Sequence, residues 1–502
     1  MIRQDEVPGN RPPNSASSDR GKGASSSEGG SQKAPDPVFS VRYSPKKCSL
    51  LSDSLEVMGD RSQIAEDSYS EERELTLGLD FGTSCLKVVI SDRAAGKAFA
   101  VPFQSGRGIN KYILASRVFE TEGRFSLIDG EVLHRDLKLS FAGERYDFDA
   151  ARRVIAFLAL AIRRARGWIF KHHAGAYRHV RLFWTVSIGL PASLSFEEKL
   201  SNRFRVATIA AWRVANSKGA VTVARIDEVR NQAGFCPPEA GDIETCVVPE
   251  IAAQIYGFVV SDSFDRRGRN IFLIVDVGAG TVDASLFHVG RARGGKYNFS
   301  FYTTTVKNLG VVNLHRHRCK WWLETFGRQR IGHEVERAVI ESSNIADHDL
   351  IVPNCFTDYF PEVQIESQAS SSPDVEFFNR IRGQVVKETF LGAISENQIP
   401  KRQLVDVPFY LCGGGSRMGY YRQLRNRLKD LRRNRSVSAS FASLMVPVNL
   451  DFTAAASDYD RLSVAYGLAW LKPGWVVKTE PMPSTTIQAT GYRHRFIDKD
   501  QI

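Results

Sequence analysis

Two stretches far apart in the chain carry one pattern, and that repetition limits the folds open to it. LGLDFGTSCLKVVI (77–90) and LIVDVGAGTVDASL (273–286) each run an apolar segment into Asp, any residue and Gly. Small and hydroxyl residues follow, then a second apolar segment. Short apolar runs bounded by turn residues read as strands, so each stretch predicts a strand–turn–strand hairpin. A hairpin repeated once per half predicts two similar lobes, each presenting its turn to a shared cleft.

The remaining pattern alternates between helical and strand-like segments. Helices are expected at 149–172, 195–217, 311–343, 376–397, 418–432 and 460–471, and strands at 180–189, 220–226 and 407–412. Alternation of this kind indicates an α/β architecture. Residues 1–73 are rich in Ser, Gly, Pro and charge and cannot bury enough apolar surface to offset chain entropy, so a disordered tail is expected there. The first lobe then spans 74–268 and the second 269–472, and a polar tail fills 473–502.

Bulk properties exclude several classes. The longest apolar stretch, VIAFLALAI at 154–162, is far below the roughly 20 residues of a membrane span and reads as a buried helix. No apolar leader opens the sequence, and seven cysteines without repeated spacing argue against a disulfide framework, so a soluble cytoplasmic protein is expected. The net charge of +11 sits largely in RRARGWIFKHHAGAYRHVR (163–181) and YYRQLRNRLKDLRRNR (420–435). In the second, Tyr421, Leu424, Leu428 and Leu431 recur at helical spacing, which turns the arginines outward. Both segments read as solvated faces, with contact to an acidic partner, nucleic acid included, left open. HRHRC (315–319) reads as a solvated basic helix, because alternate residues on a helix point apart.

Several phosphate motifs fail on inspection. DFG at 80–82 precedes HRD at 134–136, the reverse of the kinase order, and Phe141 stands where the catalytic-loop Asn belongs. GRARGGKY (290–297) has Tyr297 in place of the P-loop hydroxyl residue and reads as a surface hairpin. GAGTVD (278–283) lacks the third glycine of a dinucleotide fingerprint. The paired turns remain. Gly82, Thr83 and Ser84 on one side, and Gly278, Ala279, Gly280 and Thr281 on the other, can aim backbone N–H and hydroxyl groups at phosphate oxygens. Asp80, Asp276 and Asp283 are too many carboxylates for a phosphate site unless a cation bridges them; Mg²⁺ held largely through water fits that charge balance. VPFYLCGGGSRMGYYRQL (407–424) runs a strand into Gly413, Gly414 and Gly415, against which a flat ring can lie, with Arg417 positioned to stack on a purine.

These motifs resemble, in order, those of the actin-like ATPase superfamily, with its ribonuclease H-like fold, and within it the DnaK-type seventy-kilodalton heat-shock chaperones. DFGTSCLKV and DVGAGTVD are similar to the two phosphate motifs and LCGGGSRM to the adenosine motif. VPEIAAQIYGFV (248–259) and RLSVAYGLAWL (461–471) resemble the connecting helices, and VKNLGVVNLHRHR (306–318), with Gly310, the Leu-Gly segment. The resemblance implies two lobes around Mg-ATP, slow hydrolysis to ADP, and a hinge coupled to it. It implies that Asp80 and Asp276 position Mg²⁺ waters, that Asp283 orients the attacking water, and that Lys138 contacts phosphate. Glu250 matches the connecting-helix glutamate, although Ile251 follows where the family has Pro. The chaperones continue into a peptide-gripping β-sandwich of roughly 100 residues, and the segment after Leu471 is too short for one. The expectation is therefore an ATP-driven switch without that clamp, acting on a protein client or regulator. A filament-forming ATPase, a small-molecule kinase of the same fold and a nucleotide sensor without turnover stay open beside it.

Overall fold

Both repeated stretches form hairpins, and each hairpin is the centre of a mixed sheet. The computed structural model describes residues 36–43, 50, 56, 71–143, 147–177, 179–191, 197–233, 243–291, 296–327, 331–345, 349–365, 372–431 and 436–471. The expected tail 473–502, most of the expected tail 1–73, residues 292–295 of GRARGGKY and the arginines at 432–435 lie outside them.

In the first sheet, β1 (Glu71–Phe81) pairs antiparallel with β2 (Cys85–Asp92), and β2 pairs antiparallel with β3 (Lys97–Ala100). Strand β4 (Leu114–Ala115) joins β2, whereas β5 (Val118–Thr121), β6 (Arg124–Ser126) and β7 (Val132–His134) make a small sheet of their own. On the other flank of β1, β8 (Val180–Leu190) runs parallel to it and β9 (Glu244–Pro249) parallel to β8. The second sheet repeats the plan. Strand β10 (Ile271–Val277) is antiparallel to β11 (Val282–Arg291), which is antiparallel to β12 (Tyr297–Lys307). Strands β13 (Val407–Cys412) and β14 (Ala439–Ala442) add in parallel on the far side of β10. Strand β15 (Leu450–Asp451) then returns to pair with β3. Two sheets with one strand order and one pattern of strand directions make an α/β protein with an internal structural repeat.

Helices follow the same logic. α1 (Leu137–Ala142) and α2 (Phe148–His172) cross from β7 to β8, and α3 (Glu198–Asn216) and α4 (Val223–Ala233) from β8 to β9. α5 (Glu250–Val259) leaves β9 directly. In the second half come α6 (Val311–Phe326), α7 (His333–Ser343), α8 (Pro373–Arg382), α9 (Gly419–Lys429) and α10 (Ser463–Trp470). Between the sheets α5 and α10 touch backbone to backbone: a methyl group on Gly467 would lie 1.9 Å from the Ala253 carbonyl oxygen. Only glycine permits that crossing.

Several expectations shift. AVTV at 220–223 reads as strand because of its β-branched residues, yet α4 starts at Val223, where the Thr222 hydroxyl accepts from the Arg225 amide at 3.3 Å. The helix expected over 311–343 is two, with α6 ending at Gly327 (φ 61°). α8 passes into a π-helical stretch, Gly383–Phe390. β9 and β12 were not expected. Residues 37–43, inside the expected tail, pack against the folded chain with Val41 buried.

The arginines behave differently from solvated faces. α9 buries Tyr421, Leu424 and Leu428 and exposes Arg422 and Arg427, as its spacing implies. By contrast, Arg163, Arg164 and Arg166 of α2 are buried. Arg163 donates to the carbonyls of Val214, Ala215, Ser217 and Gly219 at 2.6–3.1 Å, a cation satisfying the C-terminal end of α3. Arg166 lies over the rings of Trp184 and Trp212. Nor is HRHRC solvated: His315 and Arg318 are fully buried, His315 bonded to Tyr359 and Ser342, and Arg318 clamped on Asp374 at 2.6 and 2.9 Å. No helix among the described residues is long and apolar enough to cross a membrane.

Candidate functional site

The two repeated turns close with the same hydrogen bond. Gly82 N donates to Cys85 O and Gly278 N to Thr281 O, each at 2.9 Å. They also face each other: a methyl group on Gly280 would lie 3.4 Å from the Thr83 hydroxyl oxygen. The cleft they flank is lined from the first half by Asp80, Gly82, Thr83, Ser84 and Lys138, and from the second by Asp276, Gly278, Ala279, Thr281 and Asp283. Glu250, at the first turn of α5, and the turn residues Gly413 and Gly414 complete the floor. Gly413 sits at φ 81°, where a Cβ would strike an Asp276 carboxylate oxygen at 2.3 Å, so the β13 turn can close on β10 only as glycine.

Three predicted residues play other parts. Gly310 does not line the cleft; its amide donates to Gly280 O at 3.1 Å, so it buttresses the second turn from behind. Gly415 lines a neighbouring cavity. Arg417, expected to stack on a purine, is held by Asp458 at 2.6 Å and Asp460 at 2.8 Å, acids of the turn before α10, and lines neither space. Arg461 lines both. The neighbouring cavity shares Ser84, Ala279, Gly414 and Arg461 with the cleft and is walled by Ile113, Val311, Val312, Leu350, Val352 and Met418, with Asn110 at its edge. The charged cleft thus adjoins a second space of mixed polar and apolar lining.

Electrostatics separate the two hairpins. Asp80 lies opposite Lys87 in β1–β2, and Asp276 lies opposite Asp283 in β10–β11, so Lys87 and Asp283 occupy equivalent positions. Lys87 Nζ is 2.8 Å from Asp80 Oδ2. Burial opposes its charge, but Asp80 holds the ammonium above the ordinary lysine range. Asp276 forms no such ion pair among the described residues. Burial first, then the carboxylates of Glu250 and Asp80, push its pKa up to about 6, against the opposing pull of the Gln254 hydrogen bond at 2.6 Å and of the Lys87 charge. Lys138 Nζ pairs with Glu250 Oε1 at 2.8 Å across the cleft wall. Gln254 Oε1 is buried and has no hydrogen-bond partner among the described residues.

Sequence reasoning missed Lys87, Gln254 and Arg461. Two had a signal: Lys87 and Gln254 are single polar residues inside the apolar runs CLKVVI and IAAQIYG. Among the described residues, no three His, Cys, Asp or Glu side chains converge as a metal-ligand set. No family model matches the chain, and no curated protein matches it in sequence.

Proposed function

We propose that the chain binds Mg-ATP in this cleft and hydrolyses it slowly, as an actin-like ATPase similar to the nucleotide-binding part of DnaK-type chaperones, with the lobes as a nucleotide-driven switch. The observation that carries the reading is the facing pair of identically bonded Asp-x-Gly turns, each at the same point of a sheet of the same strand order. Backbone N–H groups of both turns supply the phosphate cradle, and the adjoining cavity, with Val311, Val312 and Met418 in its wall, takes the base.

The residues present fit a divalent cation. Among the described residues that line the cleft, Asp80, Asp276, Asp283, Glu250 and Asp460 face Lys87, Lys138 and Arg461, an acidic balance that repels a bare triphosphate. Asp80 and Asp276 would hold Mg²⁺ through water, because among the described residues no three acidic, His or Cys side chains converge to ligate it directly. Bound there, the cation would neutralise charge developing on the phosphate oxygens. The chain's own groups do the rest. Lys138, paired with Glu250, reaches the phosphate side of the cleft. Gln254 holds one Asp276 oxygen and keeps a second polar atom for a water, and Asp283 orients it from the facing strand. The backbone contact of α5 with α10 is the pivot about which the lobes would hinge.

Titration calorimetry of the full chain with ATP, with magnesium or with chelator, tests this. Binding only with magnesium, lost in Asp80→Asn, is expected. No binding at ~1 mM nucleotide, an affinity no better than about −4 kcal/mol, overturns it.

A further inference from the structure

Burial alternates along V38-F-S-V-R-Y43: Val41 is buried and Phe39 and Tyr43 partly so, whereas Val38, Ser40 and Arg42 are exposed. One end is seated on the second half of the molecule. Val41 is buried in the cluster formed by Trp322, Leu350, Phe356, Tyr359 and Phe360, and the Phe39 ring packs 5.5 Å from that of Phe360. Ser40 N donates to Tyr359 O at 2.9 Å, the Ser40 hydroxyl donates to Asp358 O, and the Val38 amide donates to Glu362. The other end reaches the first half. Arg135 donates to the Tyr43 hydroxyl at 3.3 Å, with its guanidinium 5.6 Å from the ring centre. Beyond it, Leu50 bridges to Gln104, and Glu56 pairs with the buried Arg164 at 2.7 Å.

Both anchors adjoin the cleft. Arg135 lies two residues before α1, which carries Lys138. Leu350, which shares the Val41 cluster, lines the cavity that adjoins the cleft. Elsewhere these rims meet through Arg117 and Asp349, 4.0 Å apart. The 37–43 segment adds an aromatic anchor on each rim.

We propose that residues 37–43 are an intramolecular strap across the mouth of the cleft, holding its rims together and slowing nucleotide release. The strap rests on the cleft being a nucleotide site. In the full chain, two variants cut opposite ends: Phe39→Ser with Val41→Ser, and Arg135→Ala, which leaves the aromatic cluster intact should the first fold poorly. Release of a fluorescent ADP, followed by stopped flow, is expected to quicken about tenfold in each, the factor that 1.4 kcal/mol supplies. Amide hydrogen exchange without nucleotide gives a second readout: Ser40 N–H is protected in the parent and loses protection in Arg135→Ala, although that change is on the opposite rim. Unchanged release in both variants overturns the strap, as does a Ser40 amide that exchanges freely in the parent. If the parent binds no nucleotide, the cleft reading fails instead. The strap is then judged by exchange alone, and a Ser40 amide indifferent to Arg135→Ala overturns it.

Discussion

Replacing Asp276 with Asn separates what this carboxylate does for function from what it does to the fold. Its pKa in the folded chain, about 6, lies above the ordinary 3.8 because burial and the carboxylates of Glu250 and Asp80 disfavour the charge. Raised in the folded state, the group favours folding while protonated. That advantage is complete below about pH 3.8, is lost as pH rises toward 6, and leaves the parent penalised above it. The gap corresponds to ~3 kcal/mol at pH 8 and about half that at pH 5. Asn cannot ionise, keeps the shape and still accepts from Gln254, so Asp276→Asn should be more stable than the parent by those amounts. With an unfolding entropy of about 1 kcal/mol/K for a chain of this size, the melting temperature at pH 8 rises by roughly 3 °C. Urea unfolding at both pH values, without nucleotide, reads the difference directly. The same variant should lose the stabilisation that Mg-ATP gives the parent. A variant no more stable at pH 8, or a gain that stays constant down to pH 5, refutes the reasoning.

Lys87→Met removes the cation from a buried pair and leaves Asp80 uncompensated, so it should lower stability by ~3–5 kcal/mol in urea unfolding at pH 7. Gly467→Ala drives a methyl group into the Ala253 carbonyl and prises α5 from α10, so it should lower stability by ~3 kcal/mol or more, or prevent folding; circular dichroism melting checks it.

The hairpins were legible because local chemistry dictates them: apolar strands on both sides of an Asp-x-Gly turn admit few other conformations. Long helices such as α2 and α3 were legible for the same reason, their period being sustained over many turns. What was lost was decided by tertiary contact. Thr222 reads as one more β-branched residue until its hydroxyl is seen capping α4. Arg163, Arg164 and Arg166 read as solvent-facing charge, since nothing nearby in sequence announces that the end of α3, Glu56 and two tryptophans enclose them. Arg417 was given the base because it follows the glycines; the acids that take it, Asp458 and Asp460, are far along the chain. Lys87 was visible as an out-of-place residue, and only its register opposite Asp80 gives the reason for it.

That register has a consequence for how the two halves divide the work. Both hairpins use an Asp before the turn and a charged residue seven positions later, but the signs differ: Lys87 answers Asp80, whereas Asp283 doubles the charge of Asp276. The first turn thus carries its own ion pair, whereas the second is doubly acidic, and burial with the neighbouring carboxylates drives its Asp276 toward protonation despite the nearby Lys87. The repeated scaffold is therefore electrically one-sided. On the proposed reading, a metal-bound polyphosphate would meet both halves at once, its anion at the first turn and its cation at the second, and neither half alone would select it.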